Sequence, residues 1–174
     1  MYGPGEASGT FDYFTEVVIG DDGESRTNYT ASEDDDELVS GIQSEANALG
    51  YFGFAYYKDA EGSLNALAID SGNGPIDPAG ETIRTGDYQP LSRPLFIYTN
   101  VERTATNPAL GAFIEFYMAN ARTVVDDVGY EPLPKEAYTI ALDHFTTQKV
   151  GSVFDGKAQP DLTIEELLQK EADF

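Results

Sequence analysis

The chain of 174 residues carries 31 acidic and 10 basic residues, for a formal charge of −21, and 41% of its residues are hydrophobic. This composition can form the core of one domain, or of one domain and part of another, while the negative charge argues against a nucleic-acid surface and against binding to anionic membranes. The lack of cysteine excludes disulfides and thiolate metal sites, and the single histidine, His144, excludes multi-histidine metal sites.

The acidic residues are spread along the chain and are not gathered in a tail. A dispersed acidic surface with few lysines suits solubility at high salt, where screening weakens self-repulsion, so we expect a halophilic source. No run is apolar over the length of a membrane span, and no signal peptide is recognisable. Structured-looking sequence follows Met1 directly, so we expect the start of the chain to be artificial or truncated.

The opening stretch, residues 2–11, is a glycine-rich turn that runs into a predicted helix at about residues 10–19. Ser8 is a natural N-cap, and Gly9 allows backbone to come close to a ligand. The first-turn amides carry the positive end of the helix dipole, so this helix end can bind an oxyanion, with the hydroxyls of Ser8 and Thr10 as further donors. An ordinary capped helix is the alternative interpretation.

Polar sequence follows, and it holds Arg26. A guanidinium beside an anion-binding helix end would supply two parallel donors, whereas a surface arginine paired with a carboxylate is the alternative. Ser32 and the acidic run at residues 33–36 predict the start of a second helix. That run lacks the spacing and the central glycine of a calcium loop, so we predict no metal site.

The middle of the chain alternates between short apolar segments and loops. The aromatic run at residues 51–57 and the apolar segments at residues 64–69 and 95–99 predict strands. Residues 43–49 predict a short helical piece ending at Gly50, and residues 81–85 a short helix ending at Gly86.

The C-terminal part is predicted to be helical. Asn107 and the proline after it mark a helix start, and a further helix carries His144, which we interpret as a packing or surface residue because the sequence offers no catalytic partner. Thr163 and Glu166 form a capping box that opens the last helix. Helices alternating with short apolar strands predict an α/β fold.

Several stretches resemble, in the same order, the PstS-type solute-binding proteins of ABC phosphate transporters. The opening stretch resembles the phosphate-binding motif of that family, and further matches follow at residues 32–35, 48–53, 90–98 and 151–154. The resemblance implies a type II periplasmic-binding-protein fold, in which two α/β lobes hold the anion between them.

Carried over to this sequence, the resemblance implies a phosphate site at Ser8, Gly9 and Thr10, with Arg26 as the guanidinium. An acidic group that accepts a hydrogen bond from protonated phosphate is also implied. Ala7 stands where relatives often have an aspartate, so Glu6, Asp34 and Asp35 are the alternatives for that group.

The family's proteins are roughly twice as long as this chain. The resemblance implies that residues 1–88 form the phosphate-binding lobe, the second lobe of the fold. Residues 89–174 would form the crossover strand and the C-terminal helices of the first lobe. That first lobe would lack its central strands and leave the faces of residues 95–98 and 110–117 exposed. We therefore expect a partner chain, either a separate N-terminal half or a second copy.

The function that follows from the resemblance is binding of inorganic phosphate outside the cytoplasm and delivery to an ABC permease. No enzyme activity, cofactor, metal, nucleic acid or membrane insertion is expected. A structural or interaction module without tight phosphate binding is the alternative. A phosphatase ranks last, because no nucleophile–base pair is evident.

Overall fold

The computed structural model describes residues 1–21, 23–154, 156–157 and 159–174. The chain forms two compact units. The first unit comprises Met1–Pro78 and Tyr88–Leu91, and the second comprises Ala79–Asp87 and Ser92–Phe174. The predicted assignment of residues 1–88 and 89–174 to two lobes of the family fold stays a prediction.

In the residues that the structure describes, the first unit combines short strands with three helices. Its elements, in chain order, are β1 Tyr2–Gly3, α1 Gly9–Ile19, β2 Thr30–Ala31, α2 Asp35–Ser44, α3 Phe54–Asp59, β3 Ile69–Asp70 and β4 Pro75–Ile76. Strand β1 pairs with β2 in parallel, while β3 and β4 form an antiparallel hairpin.

Strand β1 is the centre of a small parallel arrangement. On one side Tyr2 and Gly3 pair with β2, and on the other side Tyr2 forms a parallel bridge with Gly50. Helix α1 connects β1 to β2, and α2 connects β2 to Gly50. Each parallel segment is therefore followed by a helix, which is the organisation of an α/β fold.

The second unit is helical in the part of the chain that the structure describes. It contains α4 Gly80–Thr85, α5 Val101–Thr106, α6 Pro108–Asp127, α7 Lys135–Thr146 and α8 Ile164–Asp173. Helix α6 contacts α5 and α7, and α8 contacts α7 and α4. The buried apolar residues of this unit are Ile114, Ala121, Ala137, Ile164 and Leu167.

Local capping signals in the sequence fix several helix ends as predicted. The Asn107 side chain accepts from the Ala109 amide at the start of α6. At the start of α8, the Thr163 hydroxyl accepts from the Glu166 amide, and the Glu166 carboxylate accepts from the Thr163 amide. Gly86 ends α4 with a φ of 78°, a backbone conformation that glycine adopts without strain.

The predicted strand at residues 51–57 is wrong, because this segment becomes α3 from Phe54 onward. Its aromatic rings find partners that do not require a sheet: Tyr51 stacks on Phe14 at 3.8 Å, and Phe54 packs on Tyr57 one helical turn away. Aromatic residues favour strands only where a strand partner is available, so tertiary packing decides here.

Four further predictions also need correction. The second helix begins after Asp34, whose carboxylate accepts from the Asp36 amide, and not after Ser32. It ends at Ser44, so residues 45–49 are not a separate helix. Of the segment at residues 64–69, only Ile69 lies in a strand, and residues 95–99 lie in no strand.

Candidate functional site

The N-termini of the three helices of the first unit follow the parallel segments formed by β1, β2 and Gly50, at one edge of that pairing. Helices α1, α2 and α3 begin shortly after β1, β2 and Gly50, and those three segments run parallel. The N-termini of the three helices therefore follow the carboxyl ends of neighbouring parallel segments. Ligands of α/β proteins bind at that edge, where first-turn amides point outward.

Helix α1 begins with a partly exposed turn. Ser8 is its N-cap and accepts from the Thr10 amide at 3.2 Å. Gly9 is exposed, and Ser8 and Thr10 are partly exposed. No hydrogen bond joins the Thr10 hydroxyl to another residue that the structure describes. The opening turn therefore lies at the surface, where the Ser8 and Thr10 hydroxyls can donate to an anion.

Helix α1 is held in place by contacts at both of its faces. Phe11 is 3% exposed and Thr15 is 1% exposed, so this face is buried in the first unit. On another face the Tyr13 hydroxyl donates to the Pro90 carbonyl at 2.7 Å. These anchors fix the direction in which the first-turn amides point.

The loop before α1 is covered by Glu33. Its Oε1 atom accepts from the Ala7 amide at 3.3 Å, and a Cβ atom added to Gly5 would lie within 2.4 Å of that oxygen. Gly5 therefore permits the close approach of the Glu33 carboxylate. The Tyr29 hydroxyl donates to the Pro4 carbonyl at 2.9 Å and supports the same loop from the position just before β2.

Carboxylates dominate the electrostatics of this edge. Burial raises the pKa of Tyr29, and the charges of Glu6 and Glu33 raise it further. The pKa of Asp35 is raised mainly by burial and also by the neighbouring acids, while the Gly53 amide offsets part of that shift. An anion bound here would be attracted by the helix dipoles and repelled by the neighbouring carboxylates.

The structure brings Ser8, Gly9 and Thr10 together, and it does not bring Arg26 to them. Arg26 precedes β2, and its guanidinium donates to Asn28 and reaches the Met1 sulfur. Met1 precedes β1, so these contacts place Arg26 at the amino end of the parallel strands. The helix ends lie beyond the carboxyl end of the same strands.

The acid that contacts the opening loop is Glu33, which is not among the alternatives that the sequence suggested. Asp34 is engaged as the N-cap of α2, and Asp35 lies beside Gly53. The contact of Glu33 with the opening loop could have been predicted from the parallel βαβ pattern of the sequence. Residues two positions beyond each strand meet at one edge, and glycine at position 5 leaves room for a carboxylate.

The described residues contain neither a cluster of metal-ligating side chains nor a helix that could span a membrane. No group of three or more histidine, cysteine or acidic side chains is arranged to hold a metal ion. None of the helices combines the length and the apolar character that crossing a bilayer requires.

Comparisons with known proteins agree with this α/β architecture. The family described as PBP superfamily domain matches residues 1–121. Protein SphX of Synechocystis is 51% identical over 174 residues, which is 100% of this chain and 52% of that protein. Phosphate-binding protein PstS of Staphylococcus saprophyticus is 33% identical over 139 residues, which is 79% of this chain and 42% of that protein.

A solved structure from Planctomyces limnophilus, described as a possible phosphate binding protein, has a TM-score of 0.68 and 36% identity. The match covers 86% of this chain and 53% of that one. The chain thus spans about half the length of the relatives that it matches. The match to the family and the likeness to this structure together show that the chain belongs to the PBP superfamily and has part of its α/β periplasmic-binding-protein fold.

Proposed function

We propose that the first unit supplies one side of a binding site for inorganic phosphate, at the opening turn of α1. The observation that carries this proposal is the exposed Ser8–Gly9–Thr10 turn, whose amides and hydroxyls lie at the carboxyl edge of parallel strands. Relatives named as phosphate-binding proteins support the choice of phosphate among tetrahedral anions.

Binding by this chain alone should be weak. Within the first unit, Arg26 and Lys58 are the basic residues against sixteen acidic ones, for a formal charge of −14. A site with few positive charges depends on the helix dipole and on hydrogen bonds to first-turn amides. A surface open to water also lacks the enclosure that strengthens electrostatic interactions. We expect a dissociation constant on the order of millimolar.

Glu33 is proposed as the group that favours protonated phosphate. Its carboxylate lies against the loop that leads to Ser8. A carboxylate can accept a hydrogen bond from the hydroxyl of hydrogen phosphate, whereas it repels sulfate, which has no proton to donate at neutral pH.

The role that follows is capture of phosphate for an ABC importer outside the cytoplasm, as a binding module and not as an enzyme. Delivery to a permease and the location rest on the resemblance to PstS proteins. A module without tight phosphate binding is the second candidate, and the relatives named as phosphate-binding proteins favour the first.

The test is a titration of the chain with inorganic phosphate, followed by amide chemical shifts. We expect saturable shifts at Gly9, Thr10 and Phe11. Ser8→Asp keeps an N-cap but places a negative charge at the anion position, so affinity should fall at least roughly tenfold. Thr163→Asp is the matched control, because it makes the same change at the N-cap of α8.

Two results would decide against the proposal. One is equal binding by the Ser8→Asp and Thr163→Asp variants, and the other is saturable shifts confined to residues outside the α1 end. Arg26→Ala belongs in the same series. Because Arg26 contacts Met1 and Asn28, we expect little change in affinity, and a large loss would restore Arg26 to the site.

A further inference from the structure

The turn of the β3–β4 hairpin carries an asparagine that is followed by a glycine. Of the seven asparagines in the sequence, only Asn73 precedes a glycine, which is Gly74. Both residues lie in the turn between Asp70 and Pro75, which pair across the hairpin. Asn73 is exposed and Gly74 is partly exposed. The side-chain amide of Asn73 is therefore open to water and stands next to a backbone nitrogen that carries no bulky neighbour.

This pair of residues permits an intramolecular reaction that releases ammonia. In base, the Gly74 amide nitrogen loses its proton and attacks Cγ of Asn73, which is held close to it in the chain. The new bond from that nitrogen to Cγ closes a succinimide ring, while the bond from Cγ to Nδ2 breaks and Nδ2 leaves as ammonia. Water then opens the ring at either carbonyl and leaves aspartate or isoaspartate. The reaction consumes only water and needs no oxidant or cofactor.

Gly74 gives the attacking nitrogen the freedom that this reaction needs. Its φ of 97° lies in the region that glycine adopts without strain, and a Cβ atom added there would meet nothing within 4 Å. The nitrogen is therefore not crowded by a side chain of its own residue or by packed neighbours. Asn65, another exposed asparagine of the first unit, precedes Ala66, whose methyl group hinders the same attack.

The proton that the reaction removes is hydrogen-bonded to Asp70. The Oδ1 atom of Asp70 accepts from the Gly74 amide at 3.0 Å and from the Gly72 amide at 2.8 Å. The Gly74 nitrogen must give up this hydrogen bond before it can lose its proton and turn toward Cγ of Asn73. The hydrogen bond therefore adds to the barrier of the reaction in the folded chain.

We infer that Asn73 is a site of spontaneous deamidation and that the hydrogen bond from Gly74 to Asp70 restrains the reaction in the folded chain. The reaction adds a negative charge to the first unit, and the isoaspartate product adds a backbone carbon to the turn between Asp70 and Pro75. The restraint therefore preserves the pairing of β3 with β4. The inference concerns the hairpin alone and does not require phosphate binding at α1.

The experiment incubates the whole chain at mildly alkaline pH and follows each asparagine by peptide mass spectrometry. Trypsin cuts after Lys58 and Arg84, so Asn65 and Asn73 lie in one peptide, and fragment masses locate the change. We expect the mass gain of an amide converted to an acid at Asn73 well before it is found at Asn65. The rate should rise with pH, because the nitrogen attacks after it has lost its proton.

Substitutions at Asp70 test the restraint. Asp70→Ala should accelerate the conversion of Asn73 roughly threefold to tenfold, which corresponds to the loss of one hydrogen bond. Asp70→Asn keeps an oxygen acceptor, so it should accelerate the reaction much less. Asp59→Ala is the matched control, because it removes an exposed acid of the same unit at the end of α3. In denaturing urea the hydrogen bond is lost, so the rates of all four chains should converge.

Four results would overturn the inference. Conversion of Asn73 no faster than that of Asn65 would remove the site. An unchanged rate in Asp70→Ala, or an equal acceleration by Asp59→Ala, would remove the restraint. If Asp70→Asn reacted as fast as Asp70→Ala, the charge of Asp70 and not its hydrogen bond would set the rate. A difference between Asp70→Ala and the unsubstituted chain that persisted in urea would belong to the local sequence and not to the folded hairpin.

Discussion

The two units differ in how much of their apolar surface they bury. The first unit encloses Leu38, which is 1% exposed, and presents polar groups at the edge where its helices begin. The second unit leaves Tyr98 and Phe116 mostly exposed, and its residues 95–99 lie in no strand or helix. The first unit therefore closes a core and presents a polar edge, whereas the second leaves apolar side chains uncovered by the residues that the structure describes.

The two units also differ in formal charge. The first unit has a formal charge of −14, and the second, with eight basic and fifteen acidic residues, has −7. The unit proposed to bind an anion is therefore the more acidic one. Local dipoles and amides, which act over one helical turn, must overcome a repulsive field that acts over a Debye length.

The largest expected effect is on the free energy of unfolding of each unit. Leu38→Ala should destabilise the first unit by about 4 kcal/mol, because the truncation leaves a cavity in a closed core. Ile114→Ala should cost the second unit only about 2 kcal/mol, because Ile114 borders an open groove and water can fill the space. Urea unfolding followed by resolved amide signals in each unit measures both values.

Leu67→Ala serves as the control for these truncations. Leu67 belongs to the first unit and is 58% exposed, so its truncation should change stability by less than about 0.5 kcal/mol. Equal losses for Leu38→Ala and Ile114→Ala would mean that the second core is as closed as the first, which would remove the contrast.

Features set by neighbouring residues were predictable from the sequence, and features set by distant contacts were not. The ends of α4, α6 and α8 followed from caps within a few residues. The helix at Phe54 and the lack of a strand at residues 95–99 depend on tertiary contacts, whereas the sequence pattern alone reports only a tendency to be extended or apolar.

The same distinction between local features and distant contacts holds for the residues of the candidate site. Ser8 as the N-cap of α1 follows from the local pattern and is confirmed. The contact of Glu33 with Ala7 spans 26 positions and required the parallel pairing of β1 with β2. Arg26 follows the motif closely in sequence, which favours it as the guanidinium, but the same pairing places it beside Met1 at the other end of the strands.

An intermediate effect is expected on anion selectivity. Glu33→Gln should lower the ratio of phosphate to sulfate affinity by roughly threefold to tenfold, because an amide no longer repels sulfate and accepts a weaker hydrogen bond. Titration of the same sample with each anion gives the ratio. Asp12→Asn removes one charge from the first turn of α1 without touching the loop, so it should raise both affinities and preserve the ratio.

The smallest expected effect concerns Asp35. Because burial and neighbouring acids raise its pKa in the folded chain, ionisation of this carboxyl favours the unfolded state. The cost to stability is present at neutral pH and disappears as pH falls below the ordinary range of an aspartate, where both states are protonated. Asp35→Asn should therefore raise the melting temperature by roughly 2 to 4 °C at pH 7, and the gain should shrink steadily in acid.

Asp36→Asn makes the same change of charge at the next, exposed position. If it raised the melting temperature as much as Asp35→Asn, with the same dependence on pH, the cause would be the general acidity of the first unit and not the burial of one carboxyl. A larger gain for Asp35→Asn would show that the N-terminal edge of α2 is strained by a desolvated charge. A carboxylate would then be held at the proposed anion-binding edge at a measurable cost to folding.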